Sequence, residues 1–269
     1  GTKVTIVEFL DNIVPLEDED VSKNLARSFK KSGINIMTGS AVESVDSSAD
    51  LCKVSIKTAK GIEIIEAEIV LSAVGITANI ENIGLEECGV KTDKGKVLVD
   101  EFYRTNIPGI YAIGDIVPGQ ALAHVASAEG IICVEKIAGK KVEALNYNNI
   151  PGCTYCNPEV ASVGMTEKAA KAAGYEVKVG KFPFSASGKA SASGSKDGFV
   201  KLVFDAKYGE LLGCHMIGSN VTEMIAEAVV ARKLEITGHE LIKTVHPHPT
   251  MSEAIMEAAA DAYGEVIHM

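Results

Sequence analysis

The chain has 269 residues, with 26 Lys and Arg against 36 Asp and Glu, for a formal net charge of −10 with its histidines neutral. That acidic balance lacks the basic face that phosphate-backbone binding needs, which argues against a nucleic-acid partner, and no apolar run approaches the roughly 20 residues of a membrane-spanning helix. Hydrophobic content of 46% and charged content of 23% are globular values and exclude global disorder.

Trp is absent, Tyr and Phe number seven each, and Gly reaches 25. Such a chain builds its core from Ile, Val, Leu and Ala and needs many tight turns, which leans toward α/β. Six cysteines (Cys52, Cys88, Cys133, Cys153, Cys156 and Cys214) are too scattered for the framework of a small secreted domain and point to a reducing cytoplasm. The first residue is Gly1 rather than Met, which suggests a processed product or a piece of a longer protein.

Lys3 to Glu8 reads as a short, fully buried strand. Residues 18–32 follow as an amphipathic helix, with Val21, Leu25 and Phe29 on one face, acids in the first turn, Lys30 and Lys31 in the last, and Gly33 as the stop. Ile34 to Met37 is the next strand, so the opening is one parallel βαβ unit. In a dinucleotide-binding fold, an acid at the position of Glu8 bonds the adenine ribose. The glycine-rich phosphate turn lies about 20 residues earlier. Counting back passes the start of the chain, and no G-x-G-x-x-G occurs in it. Glu8 is therefore either an ordinary strand-end acid or a ribose ligand of a larger nucleotide-binding protein.

Ala41 to Val45, Lys53 to Lys57, Ile62 to Ile65 and Glu68 to Ser72 carry short β patterns, the middle two joined as a hairpin at Gly61. In Thr105-Asn-Ile-Pro-Gly-Ile-Tyr-Ala-Ile-Gly-Asp115, Ile110 to Ile113 reads as a buried strand that stops at Gly114-Asp115, and a small-residue helix runs from Leu122 to Ala138. Ligands of open α/β sheets bind beyond the carboxyl ends of strands, where a carboxylate on a Gly turn accepts hydroxyl hydrogen bonds. The alternative is that Asp115 is a turn or capping acid.

From about Tyr147 a second kind of composition begins. Val160 to Val163, Glu176 to Phe182, Phe199 to Phe204 and Leu211 to Ile217 read as strands. Thr166 to Ala173 and Asn220 to Arg232 read as helices, with starting-turn chemistry at Thr166-Glu167 and Thr222-Glu223. The Ser/Ala/Gly tract 185–195 reads as a loop.

The strongest local signal is His246-Pro-His-Pro-Thr-Met-Ser-Glu253. Each proline holds the residue before it extended, and Pro249 can open a helix that carries Glu253 in its early turns. A helix-anchored carboxylate folded back on an imidazole fixes its tautomer and orients it, the base-plus-orienter arrangement of proton transfer. A satisfied structural histidine is the alternative for each ring. A metal site from both rings and Glu253 is awkward under two prolyl constraints, and no metal is assigned. Cys153 and Cys156 have redox-motif spacing, but Asn157-Pro158 follows instead of a helix, and in a strand that spacing puts the sulfurs on opposite faces.

In order and spacing, Val-Glu8, Ala-Val-Gly75, Thr105 through Asp115, Ala121-Leu-Ala-His124, Pro158 through Gly164, Phe182-Pro-Phe184 and the closing His-Pro-His-Pro-Thr-Met-Ser-Glu253 resemble the pyridine nucleotide–disulfide oxidoreductases, and their lipoamide branch in particular. The resemblance covers essentially the whole chain. It implies α/β followed by α+β: partial dinucleotide-binding (Rossmann-like) domains, then a dimerisation domain with an antiparallel sheet and helices. Residues 1–72 would be the remainder of an NAD-binding domain, 73–146 that of an FAD-binding and central domain, and 147–269 the interface domain carrying the His–Glu pair.

By the same resemblance, Glu8 would bond the adenine ribose of NAD, with Val42 near the adenine and Gly75 near the nicotinamide. Gly114 and Asp115 would hold the ribityl chain of FAD, and the backbone of Ala121, Leu122, Ala123 and His124 would meet the flavin. His248 would be the acid–base residue and Glu253 its partner. Electrons would pass from a dihydrolipoyl dithiol to an enzyme disulfide, to FAD and to NAD+, in a homodimer serving the lipoyl domain of a 2-oxo acid dehydrogenase or related complex. The family's two glycine turns and its Cys-x-x-x-x-Cys are missing, and Ile76 stands where relatives often show Arg. The chain is thus expected to be the carboxyl-terminal portion of such an enzyme, inactive and without FAD by itself. The readings left open are another member of the superfamily (a glutathione or mercuric reductase, or a transhydrogenase) and a non-catalytic dimerisation module.

Overall fold

In a computed structural model describing residues 1–269, the opening βαβ unit forms as its pattern dictates. Strand β1 (Thr5–Val7) pairs in parallel with β2 (Asn35–Met37) across helix α1 (Glu19–Lys31). Asp18 caps α1 by accepting from the Asp20 amide, Val21 and Leu25 are buried on its inner face, and Gly33 beyond its end takes φ +86°. The first strand is shorter than the apolar run, and it is half-buried rather than fully buried, because its sheet has only two strands. A separate three-stranded antiparallel sheet follows: β3 (Ala41–Asp46), β4 (Cys52–Thr58) and β5 (Gly61–Ala67). The β4–β5 turn closes at Gly61, whose φ of +121° a side chain would resist. Residues 68–72 do not form the expected strand; no neighbour pairs with them, and Ile69 and Leu71 are exposed.

The chain divides into two compact units, Gly1–Val70 with Pro151–Met269, and Leu71–Ile150. The Leu71–Ile150 unit is mostly irregular. It holds a two-residue hairpin, β6 (Thr92–Asp93) with β7 (Lys96–Val97), and helix α2 (Ala123–Ile137), around a small core of Val90, Val97, Ala112 and Val117. Ile110 to Ile113 is not a strand. It makes a single bridge, Tyr111 to Arg104, and only Ala112 is buried, since no ladder runs beside it.

The larger unit is organised by a five-stranded antiparallel sheet in the order β10-β11-β12-β9-β8. In chain order these are β8 (Gly152–Thr154), β9 (Glu159–Gly164), β10 (Val177–Pro183), β11 (Phe199–Asp205) and β12 (Leu211–Gly218). Helices α3 (Glu167–Ala172), α4 (Gly188–Ser193), α5 (Val221–Lys233), α6 (Gly238–Lys243) and α7 (Glu253–Ala262) surround it. Strands β11 and β12 are buried on both faces, which explains their unbroken apolar runs. Val200, Leu202 and Phe204 pack with residues of α5 and α7, while Phe199 joins Val21 and Leu25 of α1, and Val203 joins Ala170 of α3. Gly180 lets α7 lie against β10: a Cβ there would stand 1.9 Å from the Ala258 carbonyl oxygen.

Lys201, on the α1/α3 face of β11, is 5% exposed and gives its ammonium to Asp18 Oδ1 at 2.9 Å, Asp20 Oδ2 at 3.1 Å and Glu167 Oε2 at 2.9 Å. These partners push its pKa up against the effect of burial. Two starting turns differ from expectation. Tract 185–195 contains α4, because Ser187 accepts from the Ala190 amide and opens a helix. Thr222 does not cap α5; it donates instead to Glu159 on β9 at 2.8 Å, and Asn220 holds the cap position.

Candidate acid–base site

His248 and Glu253 lie at the mouth of α7. Its first residue is Glu253, where the positive end of the helix favours a carboxylate. Glu253 Oε1 meets His248 Nδ1 at 2.8 Å, and Oε2 accepts from the Thr250 amide at 2.8 Å. A carboxylate only accepts, so Nδ1 carries the hydrogen and the Nε2 lone pair faces outward. The His248 side chain is 77% exposed, against 27% for Glu253. Burial works against ionisation of Glu253, but the Thr250 amide and the imidazole outweigh it and hold the carboxyl below its usual range. Thr250 Oγ1 donates to the Pro247 carbonyl at 2.8 Å, bracing the turn from within. The result is an oriented imidazole with one nitrogen ready to take a proton from outside.

His246 makes a second pair that the sequence reading did not find. Its Nε2 lies 2.8 Å from Glu227 Oε1 on α5 and its Nδ1 lies 3.0 Å from the Thr244 carbonyl oxygen. Glu227 is 19 residues upstream on another helix, and no local motif marks it. His268 pairs in turn with Glu257 on α7.

Glu8 ends β1 with one carboxylate oxygen accepting from the Leu10 amide at 2.8 Å and the other making no hydrogen bond. The Ser40 amide donates to the Glu8 carbonyl, which brings Val42, half-exposed on β3, to the same end of the βαβ unit. The six cysteines are free thiols, and burial pushes Cys153 and Cys156 above the usual thiol range.

In the Leu71–Ile150 unit, Gly114 opens a single 3₁₀ turn at φ +76° that carries an exposed Asp115 whose carboxylate makes no hydrogen bond. The turn is held by Glu129, 1% exposed on α2, which accepts from the Gly114 amide at 2.6 Å and from the Tyr147 hydroxyl at 2.5 Å. Glu129 was also missed: by sequence it is one of two acids in α2, with Glu135, and nothing local marks it as the internal acceptor. Ala121 and Leu122 are half-buried ahead of α2, and Ala123 and His124 form its exposed first turn. Gly75 lies in irregular backbone at φ +135°. An unpartnered carboxylate on a Gly turn and an open oxygen at a strand end are suited to receive hydroxyl groups.

Residues 1–130 match the model of the pyridine nucleotide-disulphide oxidoreductases, and residues 150–259 match that of the dimerisation domain of the same family. The chain is 48% identical over its whole length to a dihydrolipoyl dehydrogenase of Rhizobium etli and 49% identical to one of Zymomonas mobilis, covering 56% and 58% of those proteins. It also matches the crystal structure of LpdA from Mycobacterium tuberculosis with a TM-score of 0.88 at 28% identity, over 96% of this chain and 56% of that one. It thus spans little more than half the length of the proteins it matches. No helix is long and apolar enough to cross a membrane. The two family models, the antiparallel sheet with its helices and the full-length identities together show that the chain belongs to the pyridine nucleotide–disulfide oxidoreductase family.

Proposed function

We propose that this chain is part of a dihydrolipoyl dehydrogenase, a cytoplasmic homodimer that oxidises dihydrolipoyl groups of a 2-oxo acid dehydrogenase or related complex with NAD+. The observation that carries the reading is the His248–Glu253 pair, with its Nδ1 side spent on the carboxylate and its Nε2 side exposed. The names of the relatives over the full chain support the substrate class.

In this reading Asp115, at its Gly114 turn, accepts hydroxyl hydrogen bonds from the ribityl chain of FAD, and the backbone of Ala121, Leu122, Ala123 and His124 borders the flavin. Glu8 takes the adenine ribose of NAD, Val42 lies by the adenine, and Gly75 by the nicotinamide. The residues fit: Asp115 is an unpartnered, exposed carboxylate, and Glu8 keeps one oxygen open. FAD, when bound, would relay two electrons to NAD+ from a cysteine pair, outside these residues, that the substrate has reduced. Residues 1–72, 73–146 and 147–269 then belong to the NAD-binding, FAD-binding and interface domains.

His248 Nε2 removes the proton from a substrate thiol, because only the thiolate attacks a disulfide sulfur. The attack forms a mixed disulfide and releases a cysteine thiolate. The second substrate thiol passes its proton to that thiolate, attacks the mixed disulfide to close the lipoyl ring, and releases the other cysteine as a thiolate. Glu253 holds the ring in register and stabilises the imidazolium that results. In the full-length protein His248→Gln should lower dihydrolipoamide turnover by about 10²–10⁴-fold; near-normal turnover rejects the assignment. Glutathione disulfide and mercuric ion assayed beside dihydrolipoamide separate the other members of the superfamily.

A further inference from the structure

The turn that carries His248 is tied down at a second point, and this inference rests on the proposed role of His248. The His246 side chain is 5% exposed, and both of its nitrogens face acceptors: the Thr244 carbonyl oxygen and the Glu227 carboxylate. Neither acceptor has a hydrogen to give, so both bonds form together only when the ring carries two hydrogens. His246 is therefore a buried cation paired with Glu227, whereas His248, two residues on, is exposed with one nitrogen uncommitted.

We propose that Glu227 and His246 are a positioning pair: an imidazolium–carboxylate anchor that fixes the His248 turn to α5 and sets the electrostatic field at the His248–Glu253 couple. Three braces then hold His248: His246 to α5, Thr250 Oγ1 to the Pro247 carbonyl, and the Thr250 amide to Glu253. The charged groups that face His246 are Glu227 from α5 and, farther off, Glu253 from α7. Both favour its cationic form and, led by the Glu227 hydrogen bond, raise its pKa over the effect of burial. The pair has no net charge as long as both members are ionised, so its two halves have opposite influence on Glu253 and His248.

That opposition supplies the test, made on the full-length holoenzyme with dihydrolipoamide and NAD+. His246→Gln should lower kcat about tenfold by loosening the turn. It should also move the acid limb of kcat to higher pH, because Glu227 is left as an unbalanced anion. Glu227→Gln should lower kcat similarly and leave the limb in place or move it to lower pH, as His246 loses its counter-ion. The double variant should return the limb to its wild-type position while kcat stays low. Glu227→Gln retains the imidazole and keeps the test valid if His246→Gln fails to fold.

Turnover within twofold of wild type in both single variants overturns the proposal, as does lowered turnover with the limb unmoved in His246→Gln, which is the mark of a merely structural role. Wild-type turnover in His248→Gln would instead remove the base assignment on which this inference rests.

Discussion

Two clusters in the larger unit each set a side-chain nitrogen against carboxylate, and they end in opposite states. At Lys201, one ammonium meets three carboxylates, and each of its three donors is spent inside the protein. At His248, one imidazole meets one carboxylate, and its second nitrogen stays open on a side chain that is 77% exposed. The first arrangement joins α1 and α3 to the sheet. The second leaves a proton acceptor facing out. A count of uncommitted donors and acceptors thus separates a structural clasp from a chemical site, although both are nitrogen–carboxylate contacts.

The contrast breaks if either cluster behaves like the other. Lys201→Met leaves the buried Asp18 carboxylate without its counter-ion, and it should cost about 3–5 kcal/mol in urea unfolding. An unchanged midpoint would make the cluster ornamental. Glu253→Ala removes the orienting acceptor; in the full-length protein it should lower dihydrolipoamide turnover by about 10²-fold with little loss of stability, the reverse of the Lys201 phenotype.

Acid sharpens the comparison further. At Glu167, Lys171 and then Lys201 hold the carboxyl below its ordinary 4.5 against burial, and at Asp20, Lys201 with Lys181 outweighs burial and holds it below 3.8. A carboxyl depressed in the folded state stabilises above its unfolded pKa and loses that contribution as pH falls through the folded value. Unfolding midpoints should therefore drop as the pH falls below about 4.5, and Lys201→Met should flatten that slope. The smallest effect expected is at a cap: Thr166 accepts from the Ala169 amide at 3.1 Å, and Thr166→Ala should cost about 1 kcal/mol in the same measurement.

Where residue pattern and local capping act over a few positions, the chain was legible. Helix α1, the Gly61 hairpin, the four long strands of the five-stranded sheet and the fold-back of Glu253 on His248 follow from neighbours in sequence. What was not legible depends on partners far along the chain. Ile110 to Ile113 has strand composition but no ladder beside it, so it makes one bridge. Thr222 has the chemistry of a cap and is drawn instead to Glu159 across the sheet. Ser187 turned an apparent loop into α4 through one side-chain acceptor. Glu227 and Glu129 are ordinary helical acids by sequence. Only the fold brings the first to His246 and the second to the turn of Asp115.

The central claim is that Glu253 fixes His248 with its hydrogen on Nδ1 and its lone pair on Nε2. Nitrogen-15 NMR of histidine-labelled protein at a pH where the ring is neutral reads this directly. The account predicts a protonated Nδ1 and a bare Nε2 for His248, with that preference lost in Glu253→Ala. A neutral ring carrying its hydrogen on Nε2 would contradict it.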